Sequence, residues 1–355
     1  MTSQFDQQRS SLWSVLLAAF LFGISTPLAK GLLREIPPQI LAGLFYLGSG
    51  IGLTILTWLL RGRTISHEAP LAHADIPWLL GAIIFGGILA PFLLLTGLQQ
   101  TPASNASLLL NLESVFSVML AWVVFHESAD RKFALGMGAI LLGSVFLSWN
   151  GVALAGGLLG PFAIAAACLC WGVDNNLTQK VSARDPVQIS AIKGLVAGTV
   201  NLLLGIWFLS ALPALVWVSA ALVVGFFSYG LSIVLFVLAL RNLGTARTSA
   251  YFSTAPFIGA ILSVLALGET VTSSLVVASF AMIGGVWLLS TEKHAHLHIH
   301  GPLVHAHPHT HDEYHQHGHG PYDPSGEPHV HLHEHVSIIH SHSHRPDIHH
   351  RHSHE

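Results

Sequence analysis

The sequence is short of charge. Only 9% of its 355 residues are Asp, Glu, Lys or Arg, against 52% hydrophobic, whereas soluble domains carry about a quarter charged residues. That deficit excludes an ordinary water-soluble globule and points to a lipid solvent. Cysteine is also scarce. The two present, Cys168 and Cys170, share one apolar run, so there is no disulfide framework and small packing residues are the plain reading. No nucleotide-binding or nucleophile motif appears, which argues against an ATPase or a hydrolase, and the chain reads as no enzyme. Nor is there a cleavable leader, because the apolar stretch from Ser11 to Leu33 is too long and further spans follow.

What is present divides sharply. Residues 1–293 hold almost all the apolar content, while 294–355 hold 22 of the 25 histidines. A bilayer core of about 30 Å needs about 20 apolar helical residues. That window picks out ten segments, near 11–33, 38–60, 76–98, 103–125, 133–149, 157–179, 187–210, 215–240, 246–268 and 272–291. Short separators such as Pro37-Pro38, Asp130-Arg-Lys132 and Arg184-Asp-Pro186 punctuate them. Inside lipid each span must satisfy its own backbone, so helices are expected and the fold class is all-α. The expected organisation is a short N-terminus (1–10), two five-helix halves (11–149 and 157–291) and a tail (294–355). With the N-terminus cytoplasmic, twelve Lys and Arg fall on the cytoplasmic side, and only Lys30 and Arg34 fall opposite. The positive-inside bias therefore places both termini in the cytoplasm and the protein in a bacterial inner membrane.

The two halves resemble each other. Phe22-Gly-Ile-Ser25 matches Trp171-Gly-Val-Asp174, and Pro37-Pro-Gln-Ile40 matches Pro186-Val-Gln-Ile189, both at an offset of 149. The stretch from Gly97 through His126-Glu127 matches that from Ala239 through Gly268-Glu269 at an offset of 142. An odd number of spans per repeat makes the halves inverted, the architecture of secondary transporters with a site near the midplane. The paired segments Leu120-Ala-Trp-Val-Val-Phe-His-Glu127 and Leu262-Ser-Val-Leu-Ala-Leu-Gly-Glu269 each end on a glutamate. Each is followed by a final helix containing glycine (Gly136, Gly138 and Gly143; Gly284 and Gly285). On these residues the chain, over about 11–291, resembles the EamA branch of the drug/metabolite transporter superfamily. That resemblance implies ten helices and export or uptake of amino acids, sugars, nucleotide-sugars or drugs. One departure is Ser114, where the family often has proline; the second half keeps Pro256. A matching helix break in the two halves therefore does not follow.

An ionisable side chain at membrane depth is costly unless paired or hydrated, so each is a functional candidate. Glu113 lies near the centre of the fourth span beside Asn111, Asp174 lies in the sixth with Asn175 and Asn176, and Lys193 lies in the seventh. At about 1.5 Å of rise per residue, Asp174 and Lys193 come to one level on neighbouring antiparallel helices, which predicts a salt bridge. No partner for Glu113 is identified by depth, which makes it the candidate proton carrier; a carboxylate satisfied by nearby hydroxyls is the plainer alternative. Ser25 is the repeat mate of Asp174, and Trp171, Tyr229 and Tyr251 are candidates to line the same cavity, against simple packing or lipid contact. Glu127 and Glu269, at helix ends, read as solvated or capping charges. Gly48-x-x-x-Gly52 and Gly194-x-x-x-Gly198 predict close helix approach.

The tail alternates. Its runs are His294-Ala-His296-Leu-His298-Ile-His300, His305-Ala-His307-Pro-His309, His329-Val-His331-Leu-His333-Glu-His335, and His340-Ser-His342-Ser-His344. In an extended chain the imidazoles of His-x-His share a face, and imidazole suits zinc, nickel, cobalt and copper. Frequent Pro and Gly predict disorder without metal. Two functions fit. One is a secondary exporter of small organic metabolites such as amino acids or drugs, proton-coupled, with a metal-responsive tail. The other is a transition-metal permease whose tail collects or delivers ions. Against the second, the chain has four methionines and no histidine within a span except His126 at an edge. The expected partners are the bilayer, a small-molecule substrate and metal ions at the tail. A homodimer stays open, nothing points to nucleic acid, and the membrane domain needs no cofactor.

Overall fold

The computed structural model describes residues 2–60, 71–125, 131–149, 157–181, 184–208, 213–243, 248 and 251–290, together with the backbone of 294–300, 303–306, 332–335 and 338–344. Among the described residues within 2–290 the regular structure is helical, and helix is found in each of the ten expected spans. The first runs Thr2–Gly23 and Ser25–Leu32, the second Pro38–Leu60, and the third from His73 to Gln100. The fourth comprises Ala103–Leu109 and Leu112–Phe125, and the fifth is Arg131–Trp149. The sixth to eighth are Leu159–Val181, Pro186–Phe208 and Leu215–Leu243; the ninth includes Ala255–Leu267, and the tenth is Ser273–Ser290. Proline begins the second and seventh helices, where its missing N–H has no intrahelical role. Large apolar side chains cover the outer surface as well as the core. On the seventh helix Trp207 is 84% exposed while Asn201 is fully buried, as expected where lipid rather than water is the solvent.

The two halves are interlocked. The first span packs on the eighth and ninth, and the sixth packs on the third and fourth, so each half's opening helix lies in the other half. The second and seventh spans form the main seam, and the fifth and tenth pair beside it. At the seam the backbones nearly touch: a Cβ at Gly194 would stand 2.5 Å from the Gly50 amide nitrogen and 2.7 Å from the Tyr46 carbonyl oxygen. Gly194 and Gly198 face the second span as their spacing suggests, but Gly48 and Gly52 face Leu222 and Phe226 of the eighth; Gly43 and Gly50 meet the seventh instead.

The third and eighth spans widen to π geometry at Ile83–Leu89 and Phe226–Leu231, positions that correspond at the repeat offset. In the third span Pro91 is the cause. Ala90 donates its N–H to the Phe85 carbonyl, and Pro91 has no N–H to give Gly86 or Gly87. The fourth span breaks at Leu110–Asn111 and the ninth at Ser253–Thr254, so the two halves do match despite Ser114. Proline is not needed because a side chain does the work. The Asn111 backbone N–H and side-chain amide both donate to the Leu108 carbonyl (3.1 and 2.9 Å), and the Thr254 N–H and hydroxyl both donate to the Tyr251 carbonyl (3.1 and 2.6 Å).

In the tail, where the composition predicts disorder, His294–His300 pairs antiparallel with Ile338–His344, and Leu303–Ala306 pairs with Leu332–His335. Alternation is the strand period, and two-stranded pairs are marginal on their own in water.

The seam makes a stability prediction. Gly194→Val should cost about 1–3 kcal/mol through overpacking, read as a lower melting temperature of the detergent-purified protein. Gly284→Ala, where an added Cβ meets nothing within 4 Å, should leave that temperature unchanged.

Candidate functional site

The centre of the bundle is assembled on the sixth span. Trp171, Asp174, Asn175 and Thr178 recur at helical spacing and give this helix a polar stripe. Asp174 meets Lys193 of the seventh span, whose Nζ lies 2.6 Å from Oδ1 and 2.7 Å from Oδ2. Both residues are buried. Thr178 donates its hydroxyl to Asp174 Oδ1 at 2.8 Å and so fixes the carboxylate from one turn away. A Cβ at Gly86 would collide with that carboxylate, so the bare backbone of the third span makes its room.

The Gly86 carbonyl, left without its N–H by Pro91, accepts from the Tyr46 hydroxyl at 2.6 Å and from Trp171 Nε1 at 3.1 Å. Gly87 accepts from the Asn201 side chain at 2.9 Å, and in the eighth span the Tyr229 carbonyl accepts from the Ser49 hydroxyl at 3.2 Å. Residues from the second, third, sixth, seventh and eighth spans thus converge on two irregular stretches of backbone. Beside them lies a cavity of about 20 Å³ lined by Tyr46, Thr178, Ser190, Lys193, Tyr229 and Val237, among others. That is room for about one water.

Glu113 has a partner that depth did not reveal. Asn175 donates its amide to Glu113 Oε1 at 2.8 Å and to the Ser117 hydroxyl at 3.1 Å. Asn175 follows Asp174 in sequence, so the sixth span holds the ion pair in one direction and Glu113 in the next.

The predicted Asp174–Lys193 bridge is present, and Trp171 and Tyr229 are buried at the same centre. Their rings stand edge-on to Phe22. Ser25 is buried and donates to the Phe22 carbonyl at 2.5 Å. Asn111 is not brought to the ion pair. It is committed to the break in its own helix, with Met282 Sδ at 3.9 Å. Tyr251 is exposed, two residues before the break in the ninth span. Tyr46, Gly86, Ser117, Thr178 and Ser190 were not anticipated. The readable signals were Pro91 inside an apolar span and Thr178 one turn from Asp174. Cys168 is buried with its thiol 3.7 Å from the Leu109 carbonyl, and both cysteines are free.

Both ends of the bundle are tied across the halves. Where the third and seventh spans begin, Arg184 Nε bridges Asp75 Oδ2 at 2.8 Å. At the opposite end Glu269 caps the fourth span, accepting from the Ala103 and Ser104 amides at 2.6 and 2.8 Å and from the Ser104 hydroxyl at 2.6 Å. Lys30 donates nearby to the Leu98 and Thr101 carbonyls at 2.5 and 2.8 Å. Glu127 and the side chains of the tail histidines lie outside the described residues.

Interlocked inverted halves around a buried ion pair define a multi-pass membrane transporter. The chain belongs to the EamA-like transporter family, which it matches twice, over residues 9–149 and 158–291. Members of that family are transporters and not enzymes. It is 33% identical over 298 residues to an uncharacterized transporter of Methanothermobacter thermautotrophicus, covering 78% of this chain and 86% of that one. It is 25% identical over 179 residues to a Salmonella typhimurium protein named "Probable amino-acid metabolite efflux pump", covering 48% of this chain and 54% of that one. A crystal structure matches over 79% of this chain and 96% of its own, with a TM-score of 0.58 and 20% identity, which shows the fold alone.

The pair can be tested as a pair. Asp174→Asn should destabilise the protein by about 3–5 kcal/mol, because Lys193 is left charged and unpaired. The double variant Asp174→Asn/Lys193→Gln should recover most of that loss. A thermal-unfolding double-mutant cycle in detergent measures the coupling, and additive effects would mean the two charges do not interact.

Proposed function

We propose that this chain is a proton-coupled secondary exporter of small organic metabolites, amino acids or drugs, in a bacterial inner membrane with both termini cytoplasmic. The observation that carries the reading is Glu113, held by Asn175, the residue next to Asp174 of the buried Asp174–Lys193 pair. Glu113 is half-buried and Asn175 exposed, so proton exchange at this carboxylate needs a water path on that face of the bundle. Its neutralisation weakens the bond from Asn175, and Asn175 lies on the helix that carries Asp174. Proton and cargo thereby act on one mechanical element. The printed name of the Salmonella relative supports an amino-acid-like cargo, and the distribution of Lys and Arg supports the orientation.

The tail is read as a metal-responsive regulator. Its 22 histidines supply ligands for zinc, nickel, cobalt or copper, with His296, His298, His340 and His342 in the alternating runs that also pair as backbone. They also keep the second function in play, a metal permease loaded by the tail.

Cells expressing the full chain, a 1–293 truncation or Glu113→Gln, grown and assayed for uptake under excess nickel, cobalt, zinc or copper, separate the two. The exporter reading expects Glu113→Gln to lower proton-driven export at least about tenfold while truncation changes only its response to metal. Metal transport lost in both variants would instead establish the permease.

A further inference from the structure

We propose that the Asp174–Lys193 pair is the recognition element for cargo and that it selects zwitterions of the amino-acid type. The ligand's ammonium replaces Lys193 on Asp174, and its carboxylate replaces Asp174 on Lys193. The inference rests on the transport reading of this site and adds to it the charge pattern of the substrate.

The cavity beside the pair holds about 20 Å³, so no metabolite fits while the pair is closed. A ligand must part it. Parting buried charges is unfavourable unless each finds a new partner. A lone cation satisfies Asp174 and strands Lys193, a lone anion does the reverse, and a neutral solute strands both. Only a molecule carrying both charges leaves neither buried charge without a partner.

The two sides of the pair are built differently. Asp174 is fixed, since Thr178 holds Oδ1 at 2.8 Å and the Gly86 backbone lies against the carboxylate. Lys193 is an ammonium on a flexible four-carbon stem, the arm able to swing away. One turn before it, Ser190 is buried and lines the cavity, and its hydroxyl has no hydrogen-bond partner among the described residues. It stands ready as an additional donor to a carboxylate bound by Lys193. The remaining wall, Ser49 apart, is Tyr46, Ile189, Tyr229, Ile233 and Val237, a surface for the ligand's uncharged side chain. Discrimination by stranding a buried polar partner is far stronger than discrimination by apolar fit.

The test uses full-length protein in proteoliposomes, with counterflow and competition by L-leucine, L-phenylalanine and L-threonine, their methyl esters and their N-acetyl derivatives. The esters keep only the ammonium and the N-acetyl compounds only the carboxylate. At least one free amino acid should outcompete both of its derivatives by at least about 100-fold, the lower end of what one unpaired buried charge implies. The variant Asp174→Asn/Lys193→Gln, with its fold checked by its melting temperature, should lose that ratio. Ser190→Ala should weaken the amino acid and the N-acetyl compound but not the ester. Esters or N-acetyl compounds binding as well as the free amino acid would overturn the proposal. So would transport of an organic cation such as ethidium, driven by protons and lost in Glu113→Gln, with no amino acid competing; the transport reading would then survive. If no solute moved in any assay, the transport reading itself would fall.

Discussion

Lipid offers no hydrogen bonds, so every backbone group in this bundle must find a partner within the protein. The groups that cannot find one in their own helix are the ones around which the centre is built. Pro91 deprives the third span of one N–H, and the carbonyls it leaves at Gly86 and Gly87 are claimed by Tyr46, Trp171 and Asn201 from three other helices. Those bonds place Trp171 beside the widened backbone, and Asp174 follows it by one turn. The missing hydrogen at Pro91 thus accounts for an acceptor that holds the sixth span, and the missing side chain at Gly86 for the room its carboxylate occupies.

The backbone of the bundle is two-fold and its chemistry is not. The π segments correspond across the halves, and so, within a residue, do the breaks in the fourth and ninth spans. Asp174, however, stands where the first half has Ser25, and at the same offset Lys193 stands opposite Leu44. A symmetric frame permits two arrangements of equivalent energy, and asymmetric charges give the ligand something to distinguish. In the proposed mechanism, repeat architecture supplies the motion and departures from the repeat supply the specificity.

What could be read from the residues follows the same division. The ten spans were legible because apolar windows near 20 residues have no soluble explanation, and the Asp174–Lys193 bridge was legible because rise per residue fixes depth. Azimuth was not legible. Asn175 lies at nearly the same depth as Asp174 but about 100° around the helix, so its bond to Glu113 required the packing of the fourth span against the sixth. The break at Leu110–Asn111 was missed because proline was taken as the mark of a broken helix, whereas an asparagine amide supplies the same carbonyl with a donor.

The ties at the two ends carry an electrical consequence. Asp75–Arg184 closes one end and Glu269 with Ser104 closes the other. Each tie is one to three hydrogen bonds, worth on the order of a few kcal/mol. Thermal motion releases one readily, while releasing both together is rarer by the product of the two probabilities. On the transport reading, a bundle fastened in this way is an insulator that opens one door at a time, which would hold the membrane potential while cargo passes.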